Sequence, residues 1–219
     1  MLLFGKKLVY FVRHGQSANN ALNVRQGATG GLSPKGQEQA RFVGERFKDI
    51  HIDLIIASPY ERTKETAALI NESIKKPVEY NDLLKERKNP SEIIGKDADS
   101  EEVKKIMDVI DRSFHDSSLR YSDEENFQDL KERAAKLLDF LAHHRGNRLM
   151  CVSHRIFLKM VLSYIEQGDK MDSHDFAMLD YYTKVENTGV ALCSYTPLNK
   201  LIGKNPWKVL AYDYGRLVK

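Results

Sequence analysis

Arg13, His14, Arg62 and His154 are the residues of this 219-residue chain whose types and placement could do chemistry. Arg13 and His14 follow the apolar run Leu8–Val12, and His154 follows Leu149–Val152 by way of Ser153. Arg62 lies shortly after a third run, Asp53–Ala57. If the three runs are parallel strands, their ends share one sheet edge, where ligands bind. A planar guanidinium makes two parallel bonds to phosphate oxygens, so two arginines and two imidazoles at one edge describe a pocket for a dianion. Nearby positive charge also lowers an imidazole pKa and keeps the ring neutral and nucleophilic near pH 7. Such a ring can attack a phosphoryl group and split one displacement into two through a phosphohistidine.

The elements that must position these groups can be read from pattern. Leu8–Val12 reads as a buried strand. Ser33-Pro34 reads as an N-cap and first helical position, opening a helix to about Ile50 that buries Ala40, Val43 and Phe47. Asp53–Ala57 is a second strand, and Ser58-Pro59-Tyr60-Glu61 reads as a capping box before a helix on which Thr63, Ala67, Ile70 and Ile74 recur at helical spacing. That puts Arg62 in the first turn, where the helix dipole attracts anions. Val78–Tyr80 is a short third strand. A helix over Asn126–His144 precedes the strand Leu149–Val152, and another runs from Arg155 to Gln167. Val190–Tyr195 and Val209–Tyr212 read as two more strands. Alternating strands and helices predict a three-layer α/β/α sandwich with a mostly parallel central sheet. The acidic, weakly apolar stretch of about 88–125 breaks the alternation and reads as a helical cap insertion near the site, its charge run over 97–125 as a solvated face.

Composition narrows the class. A mass of 25.1 kDa suits one α/β domain or two small ones, and the pattern favours one over 1–219. Such a chain buries roughly 70–75% of its unfolded surface and needs no disulfide or metal staple. Cys151 and Cys193 lie in apolar runs and read as reduced core. The balance of 34 basic and 31 acidic residues gives +3, too even to argue for nucleic acid. No window approaches a membrane span, and the run 1–4 is cut by Lys6-Lys7 with no cleavage site after it, so the expected location is the cytoplasm. Gly27, Gly30 and Gly31 lack the Lys-Ser/Thr ending of a P-loop, and no residue cluster has metal-ligand spacing. His51, His115 and His174 read as ordinary surface or core residues, and His143 and His144 as helix C-terminal ones.

Three motifs together carry a family resemblance. Arg13-His14-Gly15-Gln16-Ser17, Ser58-Pro59-Tyr60-Glu61-Arg62-Thr63 and Val152-Ser153-His154, in that order at strand ends, resemble the histidine phosphatase superfamily, which includes the cofactor-dependent phosphoglycerate mutases. The resemblance covers nearly the whole chain. It implies His14 as the phosphorylated nucleophile, with Arg13, Arg62 and His154 holding the phosphoryl oxygens. Asn20 matches a phosphate contact, and Gln26, just before Gly27, falls where relatives place substrate contacts. Glu86, in Leu84-Lys85-Glu86-Arg87, matches the proton donor to the leaving oxygen, with Glu92 and Glu79 as nearby competitors. The chemistry implied is phosphomonoester hydrolysis on a small phosphorylated substrate, with no metal, cofactor, nucleic acid or membrane partner. Nothing in the sequence separates a monomer from a homodimer.

Two departures from the family pattern matter. After Glu86 come Arg87-Lys88-Asn89-Pro90 instead of the aromatic-glycine run of the mutases, which favours hydrolysis over mutase chemistry. A non-catalytic phospho-ligand-binding protein is the other alternative, and the intact His14, Arg62, His154 and Glu86 argue against it. Where relatives carry glycine after the second histidine, this chain has Arg155. Arg155 points to solvent or pairs with an acid of the insertion, or else it reaches the pocket rim and binds a second anionic group.

Overall fold

Strands buried on both faces carry unbroken apolar runs, and the computed structural model places those runs at the centre of the sheet. It describes residues 5–114, 116, 119–182 and 185–213; the run 1–4 and His115 lie outside them. Six strands, β1 (Lys7–Arg13), β2 (Leu54–Ala57), β3 (Val78–Tyr80), β4 (Arg148–Ser153), β5 (Val190–Tyr195) and β6 (Trp207–Asp213), form one sheet in the order β3-β2-β4-β1-β5-β6. The pairs β3–β2, β2–β4 and β4–β1 are parallel. β5 runs antiparallel to both β1 and β6, so it alone opposes the rest.

Side chains of one strand alternate between the two helical layers. Val12, Ile55, Ala57, Met150 and Val152 pack with the helices α2 (Pro34–Phe47) and α3 (Glu61–Ile74). Val9, Phe11, Ile56, Leu149 and Cys151 face α5 (Phe127–His143) and α6 (Arg155–Gln167) on the other side. The result is the expected α/β/α sandwich. The sheet register brings the ends of β1, β4 and β2 side by side, pairing Arg13 with Ser153 and Val152 with Ala57.

Local signals decide the helix ends. Ser33 accepts from the Gly36 amide and Pro34 opens α2, which stops at Phe47, short of Ile50. Asn126 and Asp129 cap α5 reciprocally. The capping box expected at Ser58 does not form: α3 begins at Glu61 with Tyr60 as its N-cap and no side-chain cap bond. Ser58 is used elsewhere, as described below. Three helices carry no clear sequence signal: α1 (Ala18–Ala21) and α8 (Pro197–Leu201) are single turns, and α7 (Ser173–Tyr182) lacks an apolar stripe.

Within 88–125 the chain forms a 3₁₀ turn at Ser91–Ile93 and the helix α4 (Glu101–Ser113). Val103, Ile106 and Ile110 of α4 close on Ile93 in a small core of their own. A bridge between Val24 and Asp97 and a 2.6 Å bond from Asn23 Nδ2 to Asp99 tie this segment to the loop after α1. α4 is therefore not wholly a solvated face.

Candidate active site

The turn after β1 is held by close backbone packing. The His14 amide donates to the Ser153 carbonyl at 2.9 Å, which locks the end of β1 to β4. Gly15 lies against α2 so tightly that a Cβ there would stand 2.4 Å from the Gly36 carbonyl oxygen. Its amide donates to Thr66 Oγ1, and that hydroxyl in turn donates to the Arg62 carbonyl. His14 and the first turn of α3 are thus fixed to each other through two residues.

The His14 ring is 4% exposed, and its Nδ1 lies 2.7 Å from the Gly15 carbonyl oxygen. A carbonyl can only accept, so Nδ1 carries the hydrogen and Nε2 keeps its lone pair. Burial, followed by the charges of Arg62 and Arg13, holds the ring's pKa well below the ordinary imidazole value. The local structure therefore presents a neutral imidazole of defined tautomer.

Both arginines leave a donor unmet. Arg62 is 2% exposed, gives Nη1 to the Gly27 carbonyl at 2.8 Å and lies over the Tyr60 ring. Arg13 gives Nη1 to the Val185 carbonyl at 2.7 Å. Each leaves Nε buried with no hydrogen-bond partner. Burial first, then the Arg155 charge, pulls the Arg13 pKa down to about 10, so its guanidinium stays charged at neutral pH. An unmet buried donor costs ~1–3 kcal/mol, which an arriving oxyanion relieves.

His154, fully buried at the end of β4, stands with its ring centroid 5.2 Å from that of His14 and 5.1 Å from Tyr60. Its Nε2 is 2.8 Å from Ser58 Oγ, and its Nδ1 is buried without a partner. This is the use to which Ser58 is put in place of capping α3. Burial, then Arg62 and His14, push the His154 pKa well down.

A cavity of about 440 Å³ opens in front of this group, lined by Arg13, His14, Arg62, Glu86, Asn20 and Gln26 among others. Glu86 accepts from the amides of Arg87 (2.9 Å) and Phe157 (3.0 Å) on Oε1 and of Ile156 (3.3 Å) on Oε2. His154, the N-cap of α6, makes no side-chain cap bond, so Glu86 satisfies the orphan amides of that helix. The competitors lie elsewhere: Glu92 accepts from Ser122 and Glu79 meets His144 and Arg145. Gln26 accepts from Ser17 Oγ and leaves Nε2 buried and unpartnered. Gly27 and His154 are not among the lining residues; Gly27 acts through its carbonyl on Arg62.

Arg155 lines the cavity, together with three charged residues that sequence reasoning did not assign: Arg25, Arg87 and Asp111. Arg87 stacks over the Phe114 ring at 4.5 Å. Arg25 directly precedes Gln26, so its place was within reach of the motif. Asp111 sits on α4 and could be found only once that helix was placed over the site.

Comparisons with known proteins bear on the family and the fold. Residues 9–196 match the family model described as the histidine phosphatase superfamily (branch 1). The chain is 30% identical over 168 residues to the uncharacterized phosphatase PhoE of Bacillus subtilis, covering 74% of this chain and 78% of that one. It is 34% identical over 162 residues to a protein of Salmonella arizonae named "Probable phosphoglycerate mutase GpmB", covering 72% and 74%. A solved phosphoserine phosphatase of Entamoeba histolytica, in complex with phosphoserine, shares the fold with a TM-score of 0.75 at 21% identity, covering 96% and 99%. The chain belongs to the histidine phosphatase superfamily, whose phosphatases and mutases transfer phosphoryl groups.

Proposed function

We propose that this chain is a phosphomonoester hydrolase that works through a covalent phosphohistidine on His14. The observation that carries the reading is the His14 ring: Nδ1–H is committed to the Gly15 carbonyl, and the neutral ring lines a cavity beside buried Arg62 and half-buried Arg13. Nε2 attacks phosphorus and the bond to the leaving oxygen breaks. Arg13 and Arg62 turn their unmet N–H groups to the phosphoryl oxygens, where charge is held in the transition state. These cations supply the charge stabilisation without calling on a metal.

His154 adds one more donor. Ser58 Oγ, which can take the Tyr60 amide at 3.4 Å, gives its hydrogen to His154 Nε2 and leaves the hydrogen on Nδ1 for a phosphoryl oxygen. Glu86 protonates the departing alkoxide. Of its two oxygens Oε2 is the less committed, taking only the long bond from Ile156. In the second half the carboxylate takes a proton from water, water attacks phosphorus, and the P–N bond breaks to release phosphate and neutral His14.

Asn20 and the free amide of Gln26 complete the wall toward a small phosphorylated substrate. The cytoplasm suits two buried free thiols, Cys151 and Cys193. Among the described residues no helix is long and apolar enough to cross a membrane. The Arg87-Lys88-Asn89-Pro90 sequence favours water as the acceptor over return of the phosphoryl group to substrate. Incubation with p-nitrophenyl phosphate tests this: turnover without any bisphosphoglycerate supports the hydrolase. Turnover of phosphoglycerate isomers only with that cofactor would make the chain a mutase.

A further inference from the structure

Glu86 stands on a stretch with no regular structure. The 3₁₀ turn at Asp82–Leu84 ends before it, the next turn opens only at Ser91, and no helix or strand ladder fixes the chain between them. A proton donor has to be held within hydrogen-bond reach of the leaving oxygen, so something outside this stretch must hold it.

The holding group is Arg133 on α5, which with Glu125 stands outside the cavity lining. Nε and Nη2 of Arg133 donate to the two carboxylate oxygens of Glu125 at 2.8 and 2.7 Å, a forked pair whose side chains are 14% and 22% exposed. The other contacts go to backbone carbonyls: Nη1 to Lys85 at 2.6 Å and Leu83 at 3.2 Å, and Nη2 to Glu86 at 3.3 Å. The flat face of the guanidinium lies over the Phe157 ring, 3.9 Å from its centroid. Only a planar, many-donor cation can meet a carboxylate, three carbonyls and a ring at once.

Each of these partners bears on Glu86. Leu83 and Lys85 belong to the segment that carries it, and the Phe157 amide holds its Oε1 at 3.0 Å. Glu125 grips the far side: its Oε2 accepts from the Lys88 amide at 2.8 Å, and its own amide donates to the Lys88 carbonyl at 3.0 Å. An apolar pair of similar volume can match a buried ion pair in stability, but it cannot satisfy these carbonyls and the Lys88 amide at fixed points. The pair is built to place the segment.

We infer that Arg133, locked by Glu125, is a positioning residue for the proton donor: it fixes residues 83–88 and the start of α6 so that the Glu86 carboxyl faces the leaving oxygen. The inference rests on the reading of Glu86 as the general acid.

The test compares kcat/KM on glycerol 3-phosphate and on p-nitrophenyl phosphate for wild type, Arg133→Gln, Glu86→Gln and the double variant. This parameter covers the steps through phosphohistidine formation, where the leaving group takes its proton. A misplacement of about 1 Å costs about 10²-fold, so Arg133→Gln should lose roughly 10- to 100-fold on glycerol 3-phosphate and less than about threefold on p-nitrophenyl phosphate. Added to Glu86→Gln, it should leave the ratio of the two esters unchanged, since no acid remains to misplace. Arg133→Lys keeps a cation beside Glu125 and carries the same comparison if Arg133→Gln does not fold. One ammonium cannot serve a carboxylate and three carbonyls together, so the ratio should still shift, by a smaller factor. Arg133 variants that slow both esters by one factor, keep the wild-type ratio, or shift the ratio further in Glu86→Gln protein would overturn the inference and leave Glu86 as the acid. A Glu86→Gln protein with the wild-type ratio would overturn the acid reading and this inference with it.

Discussion

Glu86 is asked to do two things, and one pair of substitutions separates them. Its carboxylate accepts three amides: Arg87 and Phe157 on Oε1, Ile156 on Oε2. In Glu86→Gln the carbonyl oxygen can take the Oε1 position and keep two of these, while the amide nitrogen turns a donor toward the Ile156 N–H. That bond is the longest of the three and Ile156 lines the cavity, where water can replace the lost acceptor. The stability cost is then ~1 kcal/mol, or about 2–4 °C in Tm for a chain of this size. Glu86→Ala removes both acceptor oxygens, and with them all three bonds, and should cost ~3 kcal/mol, about 6–12 °C. Catalysis divides differently. Neither variant can donate a proton, so both should lose about 10²- to 10⁴-fold on glycerol 3-phosphate, with a much smaller loss on p-nitrophenyl phosphate, whose leaving group needs little protonation. Thermal unfolding and kcat/KM on the two esters measure both effects. A Glu86→Gln protein within threefold of wild type on glycerol 3-phosphate would remove Glu86 as the acid. A Glu86→Ala protein with unchanged Tm would refute its role as the cap of α6.

Two further outcomes are expected. His14 and His154 are both held neutral with pKa values well below 6.5, so between that value and their folded pKa the unfolded chain binds protons that the native one does not. Stability should therefore fall as pH drops below about 6.5, by up to ~1.4 kcal/mol per pH unit for each histidine; urea unfolding of His14→Ala between pH 5 and 6.5 should show a shallower dependence, and identical slopes would contradict the buried neutral state. Gly15→Ala would place a Cβ 2.4 Å from the Gly36 carbonyl oxygen, backbone against backbone, which should cost ~1–3 kcal/mol and displace His14 enough to lower kcat/KM by about 10²-fold; a variant with wild-type stability and activity would show the turn to be freer than described.

What the sequence disclosed about the site follows from one rule of sheet geometry. Strands that run parallel end together, so Arg13, His14 and His154 were legible as neighbours although they lie some 140 positions apart in the chain. The same strand-helix alternation disclosed the three layers. Ser58 was misread because its capping pattern is local, whereas the demand of buried His154 for a partner is tertiary and took precedence. Glu86 was found, but not its second use, since the amides it accepts belong to a helix some 70 residues later. Arg25 and Asp111 line one cavity only because α4 folds over the loop after α1 on a small core of its own, and no periodicity encodes that docking. The short helices α1 and α8, and α7 with no apolar stripe, were invisible for the simpler reason that pattern needs either length or contrast.

The central claim is that a phosphoryl group passes through a bond to His14, and rapid-quench trapping tests it most directly. Wild-type protein mixed with ³²P-labelled phosphomonoester and quenched within the first turnover should carry an acid-labile, alkali-stable label that peptide mapping places on His14, while His14→Ala carries none. Stoichiometric label on the His14→Ala protein, or wild-type label mapped to another residue, would contradict the mechanism.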